Sequence, residues 1–70
     1  MATRKETKTY RRELVRRIRR QTEGYVWCLT SSGEAYFKAE GVDVKWARRG
    51  YALKLAELAN QLLEIERELS

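Results

Sequence analysis

The run Tyr25-Val26-Trp27-Cys28-Leu29-Thr30-Ser31-Ser32-Gly33-Glu34-Ala35-Tyr36-Phe37-Lys38-Ala39-Glu40 decides how this chain is read. Residues 25–30 and 34–40 are rich in aromatic and β-branched types and flank Ser31-Ser32-Gly33, a pattern that predicts a β-hairpin. Loop length sets which face is buried, because a one-residue shift of register turns every side chain over. A two-residue Ser32-Gly33 turn would put Phe37 on the Val26/Cys28 face and Trp27 opposite Lys38. A three-residue loop places Gly33 at the left-handed position of a bulge. It pairs Trp27 with Phe37, Leu29 with Ala35 and Tyr25 with Ala39, giving one coherent apolar face. That register is preferred, and it leaves Val26, Cys28, Thr30, Tyr36 and Lys38 on the outer face.

Working outward, the residues before the run predict a helix from Thr9, a permissible N-cap, to about Glu23, with Gly24 at the C′ position. Tyr10, Leu14, Ile18 and Gln21 share one face of it, with Val15 at the margin. Residues 1–8 read as a flexible basic arm, although Thr3 and Glu6 match a capping box for a frayed first turn. After the run, Asp43 is a good N-cap for a helix reaching about Leu69. Gly50 weakens it, but Ala47, Tyr51, Leu55, Leu58, Leu62, Ile65 and Leu69 keep one helical phase across it, so the helix is continuous. The expected architecture is α+β: helix, β-hairpin, long helix (αββα), in a single domain over 9–70.

The long helix carries a heptad seam, with Leu55, Leu62 and Leu69 at a and Tyr51, Leu58 and Ile65 at d. A second strip of Ala52, Ala56, Ala59 and Leu63 runs beside it. At 1.5 Å per residue, about 26 residues make a rod of roughly 39 Å, against about 22 Å for a first helix of about 15 residues. A helix overhanging its own domain would expose leucines, so a homodimer through the C-terminal helix is expected. The competing arrangements are a first helix that covers the seam within a monomer, and pairing through open hairpin edges.

Charge is uneven. Net charge is +5, made of +6 over residues 1–23, −1 over 24–41, +3 over 42–54 and −3 over 55–70. With Leu14 at the centre of the buried face, Arg12, Arg16, Arg19 and Arg20 project to the opposite side of the first helix, and the arm adds Arg4, Lys5 and Lys8. Planar guanidinium forks suit phosphate, and such a stripe is the footprint expected of a nucleic-acid binder. The plainer alternative is a solvated face neutralised by Glu57, Glu64, Glu66 and Glu68. Arg48 and Arg49 are further surface candidates beside Trp46, which is expected to anchor the core. Trp27, Tyr25 and Phe37 are expected in the core as well. Tyr36 and Lys38 are recognition candidates on the outer hairpin face, where Cys28 would be an inert thiol.

Other chemistries lack residues to carry them. The chain has no histidine and one cysteine, which excludes an internal disulfide and leaves a zinc site short of soft ligands. No cofactor, small-molecule substrate or catalytic constellation is expected, and the chain reads as non-enzymatic. No apolar stretch approaches the ~20 residues of a bilayer span, no secretory signal is evident, and the first helix is too thinly apolar to bind a membrane surface. The expected compartment is the cytoplasm. The leading reading is a homodimeric regulatory or architectural protein that contacts nucleic-acid phosphates. The rival is a small protein of the kind phages and mobile elements encode, which occupies an acidic surface of a host protein such as a DNA-binding factor or a defence complex.

Overall fold

A computed structural model describes residues 3–70. It consists of three helices, α1 (Arg4–Cys28), α2 (Ser31–Ala39) and α3 (Val44–Leu69), with no strand among the described residues. The expected hairpin, and with it the α+β class, is therefore corrected to an all-helical fold. The aromatic run is the last turn of α1, a two-residue turn and a short α2. The physical reason lies in the apolar phase. Leu14, Ile18, Gln21, Tyr25 and Cys28 follow one another at intervals of four, three, four and three, so the buried face of the first helix continues straight through Gly24. Local β propensity yields to that continuity, because burial along a helix face outweighs preferences of a few tenths of a kcal/mol per residue.

Gly24 is thus a helix-interior residue and not a C-terminal stop. A Cβ there would meet the Tyr51 ring, 2.5 Å from Cε1, so the glycine lets α3 approach α1 closely. α1 also begins earlier than Thr9. Thr3 is the N-cap, and its hydroxyl oxygen accepts from the Glu6 N–H at 3.1 Å. Residues 4–8 of the expected arm are therefore helical; Met1 and Ala2 lie outside the described residues.

Thr30 ends one helix and starts the next. Its hydroxyl donates to the Trp27 carbonyl at 2.6 Å and accepts from the Gly33 N–H at 3.1 Å, capping α2. Gly33 is buried against the end of α1, where an added Cβ would run into the Trp27 carbonyl. Gly41, at φ 73°, turns the chain out of α2, and Asp43 caps α3 by accepting from the Lys45 N–H at 3.0 Å. The reading of α3 from Asp43 to Leu69 across Gly50 agrees with the structure.

α1 and α3 pack antiparallel into a rod of 47 × 16 × 15 Å, with α2 folded over the closed end. The core is one thin layer between two helices. Leu14, Leu58 and Ile65 form its centre, Ile18 and Leu69 pack against it, and Cys28 and Ala47 are buried near the closed end. The length mismatch disappears: α1 has 25 residues and α3 has 26. The seam then has a cover within its own chain, with Leu58 and Ile65 buried and Tyr51, Leu55, Leu62 and Leu69 half-buried. The ground for expecting a dimer through the C-terminal helix is removed, because α1 supplies the apolar surface a second copy was needed for. Leu63 and the strip Ala52, Ala56 and Ala59 stay exposed beside the seam.

Gly50 sits in mid-helix with nothing within 4 Å of where a Cβ would stand. Gly50→Ala is therefore expected to stabilise the fold by about 1 kcal/mol, through helix propensity and a less mobile unfolded chain. In a domain of this size that is a rise in Tm of about 4–8 °C. An unchanged or lower Tm would show that the site has a requirement for glycine that the backbone does not reveal.

Candidate nucleic-acid interface

The basic face of α1 follows from its register against α3. A helix turns about 100° per residue, so with Leu14 aimed at α3, Lys5, Arg12 and Arg16 point roughly opposite, and Lys8, Arg19 and Arg20 fall within about 60° of that direction. All six are exposed. They cover about 22 Å of the helix axis. Glu23 shares the strip at its C-terminal end.

Neutralisation by the acidic end of α3 does not reach these residues. Arg11 pairs with Glu66 at 2.5 Å, on the flank where the two helices meet, and Lys54 pairs with Glu57 at 3.6 Å along α3. Glu64 and Glu68 border a cleft with Tyr10 and Gln61, where the Tyr10 hydroxyl donates to Gln61 Oε1 at 3.2 Å. Among the described residues, none of Lys5, Lys8, Arg12, Arg16, Arg19 and Arg20 has a carboxylate within the 4.0 Å of an ion pair. Arg4, Lys5 and Lys8 also stand in the first turns of α1, where the helix dipole opposes positive charge. Their placement adds nothing to the stability of the helix, whereas an external anion would be drawn to the same end.

The remaining candidates divide. Arg48 is half-buried and engaged within the fold. Its Nε and Nη2 donate to the Cys28 carbonyl at 3.1 and 2.9 Å, and Nη2 also reaches Glu34 Oε1 at 2.7 Å. It ties the C-terminus of α1 to both other helices and is not available to a ligand. Arg49 is exposed beside Trp46 and Lys45. Tyr36 and Lys38 are exposed, on α2 and not on a hairpin face, and Cys28 is fully buried and not outward-facing.

Sequence reasoning placed Trp46, Trp27, Tyr25 and Phe37 in the core, and for the tryptophans the structure differs most. Trp46 is 72% exposed and Trp27 41%, while Tyr25 and Phe37 are half-buried; Tyr36, expected on an outer face, is 52% exposed. Phe37 packs edge to face on Trp27 and Tyr36 at ring separations of 5.8 and 5.4 Å, and Trp27 and Tyr36 meet at a tilt 5.2 Å apart, forming an aromatic cluster at the closed end. A rod two helices thick has no further layer to cover them. Among the described residues, no group of three or more His, Cys, Asp or Glu side chains is placed to hold a metal, and no helix is long and apolar enough to cross a membrane.

Comparison with protein-family models, with curated proteins and with solved structures finds no match for this chain.

Proposed function

We propose that this chain is a non-enzymatic nucleic-acid-binding protein that lays the outer face of α1 along phosphates. The observation that carries the reading is the row Lys5, Lys8, Arg12, Arg16, Arg19 and Arg20, turned away from α3 and free of carboxylate partners. Duplex DNA carries one charge per roughly 3.4 Å of axis on each strand, so about 22 Å spans about six phosphates of one strand, as many as the row has cations. Arginine is suited to the task because its fork stays charged and binds phosphate oxygens in pairs. Phosphate contacts position a protein without reading sequence, so discrimination between sequences should be modest.

The test is a titration of labelled oligonucleotides by fluorescence anisotropy across a salt series. Six phosphate contacts give log K against log salt a slope of about −5 on duplex and about −4 on single strand. Failure to bind at low salt, or binding that ignores salt, would refute the reading. Nuclease-treated lysate provides the contrast: a host protein retained there, with no shift of any oligonucleotide, would instead assign the basic face to an acidic protein surface.

A further inference from the structure

We propose that the closed end of the rod is a base-stacking site for single-stranded nucleic acid. The proposal rests on the reading of α1 as a phosphate-binding face and adds the state of the strand that is bound. Seven residues are nearly two helical turns, so Arg20 and Trp27 fall on the same strip of α1, with Arg16 one turn further back. The basic row therefore leads towards the aromatic cluster, with Glu23 between Arg20 and Trp27 on the same strip. Trp27 and Tyr36 offer partly exposed rings there. Phe37 and Trp46 border a shared hollow of about 300 Å³ with Gly50, and Trp46 in turn borders another with Lys45 and Arg49.

Three aromatic rings thus touch one another at the end of the molecule, and Trp46 faces Phe37 across the hollow, with Arg20 towards one margin and Lys45 and Arg49 at the other. Of the carboxylates around them, Glu34 is bound to Arg48 and Asp43 caps α3, leaving Glu23 and Glu40. Exposed rings grouped beside cations are what stacking of bases requires. The flanking cations indicate what the cluster binds. A duplex hides its base faces in the stack and presents only edges, whereas an unpaired strand offers π faces that aromatic rings take up irrespective of sequence. A backbone held by Arg16 and Arg20 would deliver its next bases to Trp27 and Tyr36.

The experiment compares a labelled 20-nucleotide oligo-dT with a 20-base-pair duplex, for the wild type and for Tyr36→Ala, Tyr36→Phe and Trp46→Ala. Tyr36 and Trp46 are exposed, and helicity by circular dichroism checks that each variant folds. Loss of either ring is expected to weaken oligo-dT binding roughly tenfold, with duplex affinity and salt slope unchanged. Tyr36→Phe should bind as wild type, and oligo-dT should quench tryptophan emission, less so in Trp46→Ala. Wild-type affinity for oligo-dT in both alanine variants overturns the stacking site. If alanines at Arg12, Arg16 and Arg19 still weaken binding in that case, the phosphate face stands; if they do not, that reading fails as well. Alanine variants that lose a nuclease-resistant protein partner but keep oligo-dT would assign the aromatic end to protein recognition and overturn the proposal.

Discussion

Replacing Arg12, Arg16 and Arg19 together with alanine is expected to lower affinity for an oligonucleotide by on the order of 100-fold at about 150 mM salt. The figure follows from counterion release. Each lost phosphate contact removes about 0.9 from the slope of log K against log salt on duplex, so three remove about 2.7. Taken between 0.15 M and the roughly 1 M at which release no longer contributes, that difference is about two powers of ten. The three side chains are exposed and lack ion-pair partners among the described residues, so folding should be unaffected. Alanine also favours helix slightly more than arginine does. Circular dichroism and Tm should therefore match the wild type while binding collapses. A variant that binds as tightly as wild type at equal salt would remove the phosphate face from the account.

The second large effect is on stability. Leu14 is 0% exposed and lies at the centre of a core that is one layer thick, against Leu58 and Ile65. Leu14→Ala removes a buried isobutyl group and leaves a cavity, at a cost of about 2–5 kcal/mol. A 70-residue domain holds only about 3.5–10 kcal/mol in total. Loss of 3 kcal/mol would lower Tm by about 12–24 °C, and a loss at the upper end would leave the chain largely unfolded at room temperature. Leu63→Ala is the control: Leu63 is 57% exposed on the far side of the seam, so its truncation should change stability by less than about 0.5 kcal/mol. Equal Tm values for the two variants would contradict the packing of α1 on α3.

That packing was partly legible in the sequence. The α3 seam and its start at Asp43 are readable because leucine spacing and an aspartate cap act locally along a single helix. The continuation of α1 is written in the same way, in Gln21, Tyr25 and Cys28. It is masked by β-branched and aromatic residues around a glycine and two serines, whose turn signal suits a helix cap as well as a hairpin. Thr30 separates the two outcomes: its hydroxyl is placed to cap α2, and Glu34, Ala35, Lys38 and Ala39 favour helix once it starts. The supposed overhang of α3 was a consequence of shortening α1, and it vanishes with the correction.

The basic row was legible because it needs only the phase of one helix relative to Leu14. The aromatic end was not. Whether Trp27 and Trp46 are buried depends on how many layers the fold stacks over them, a property of tertiary arrangement that neither spacing nor composition carries; Tyr36 was expected outside, but on a hairpin and not on α2. Arg48 illustrates the same limit: its sequence neighbourhood matches that of Arg49, yet one ties three helices together and the other faces solvent.

The most direct test of the central claim is to map where an oligonucleotide lands, by amide chemical-shift changes on 15N-labelled protein titrated with oligo-dT. The account expects the largest shifts along the outer face of α1, from Lys5 to Arg20, extending to Trp27 and α2, with the α3 residues from Ala56 to Arg67 little changed. Shifts centred on that α3 segment, or none at saturating oligonucleotide and low salt, would contradict it.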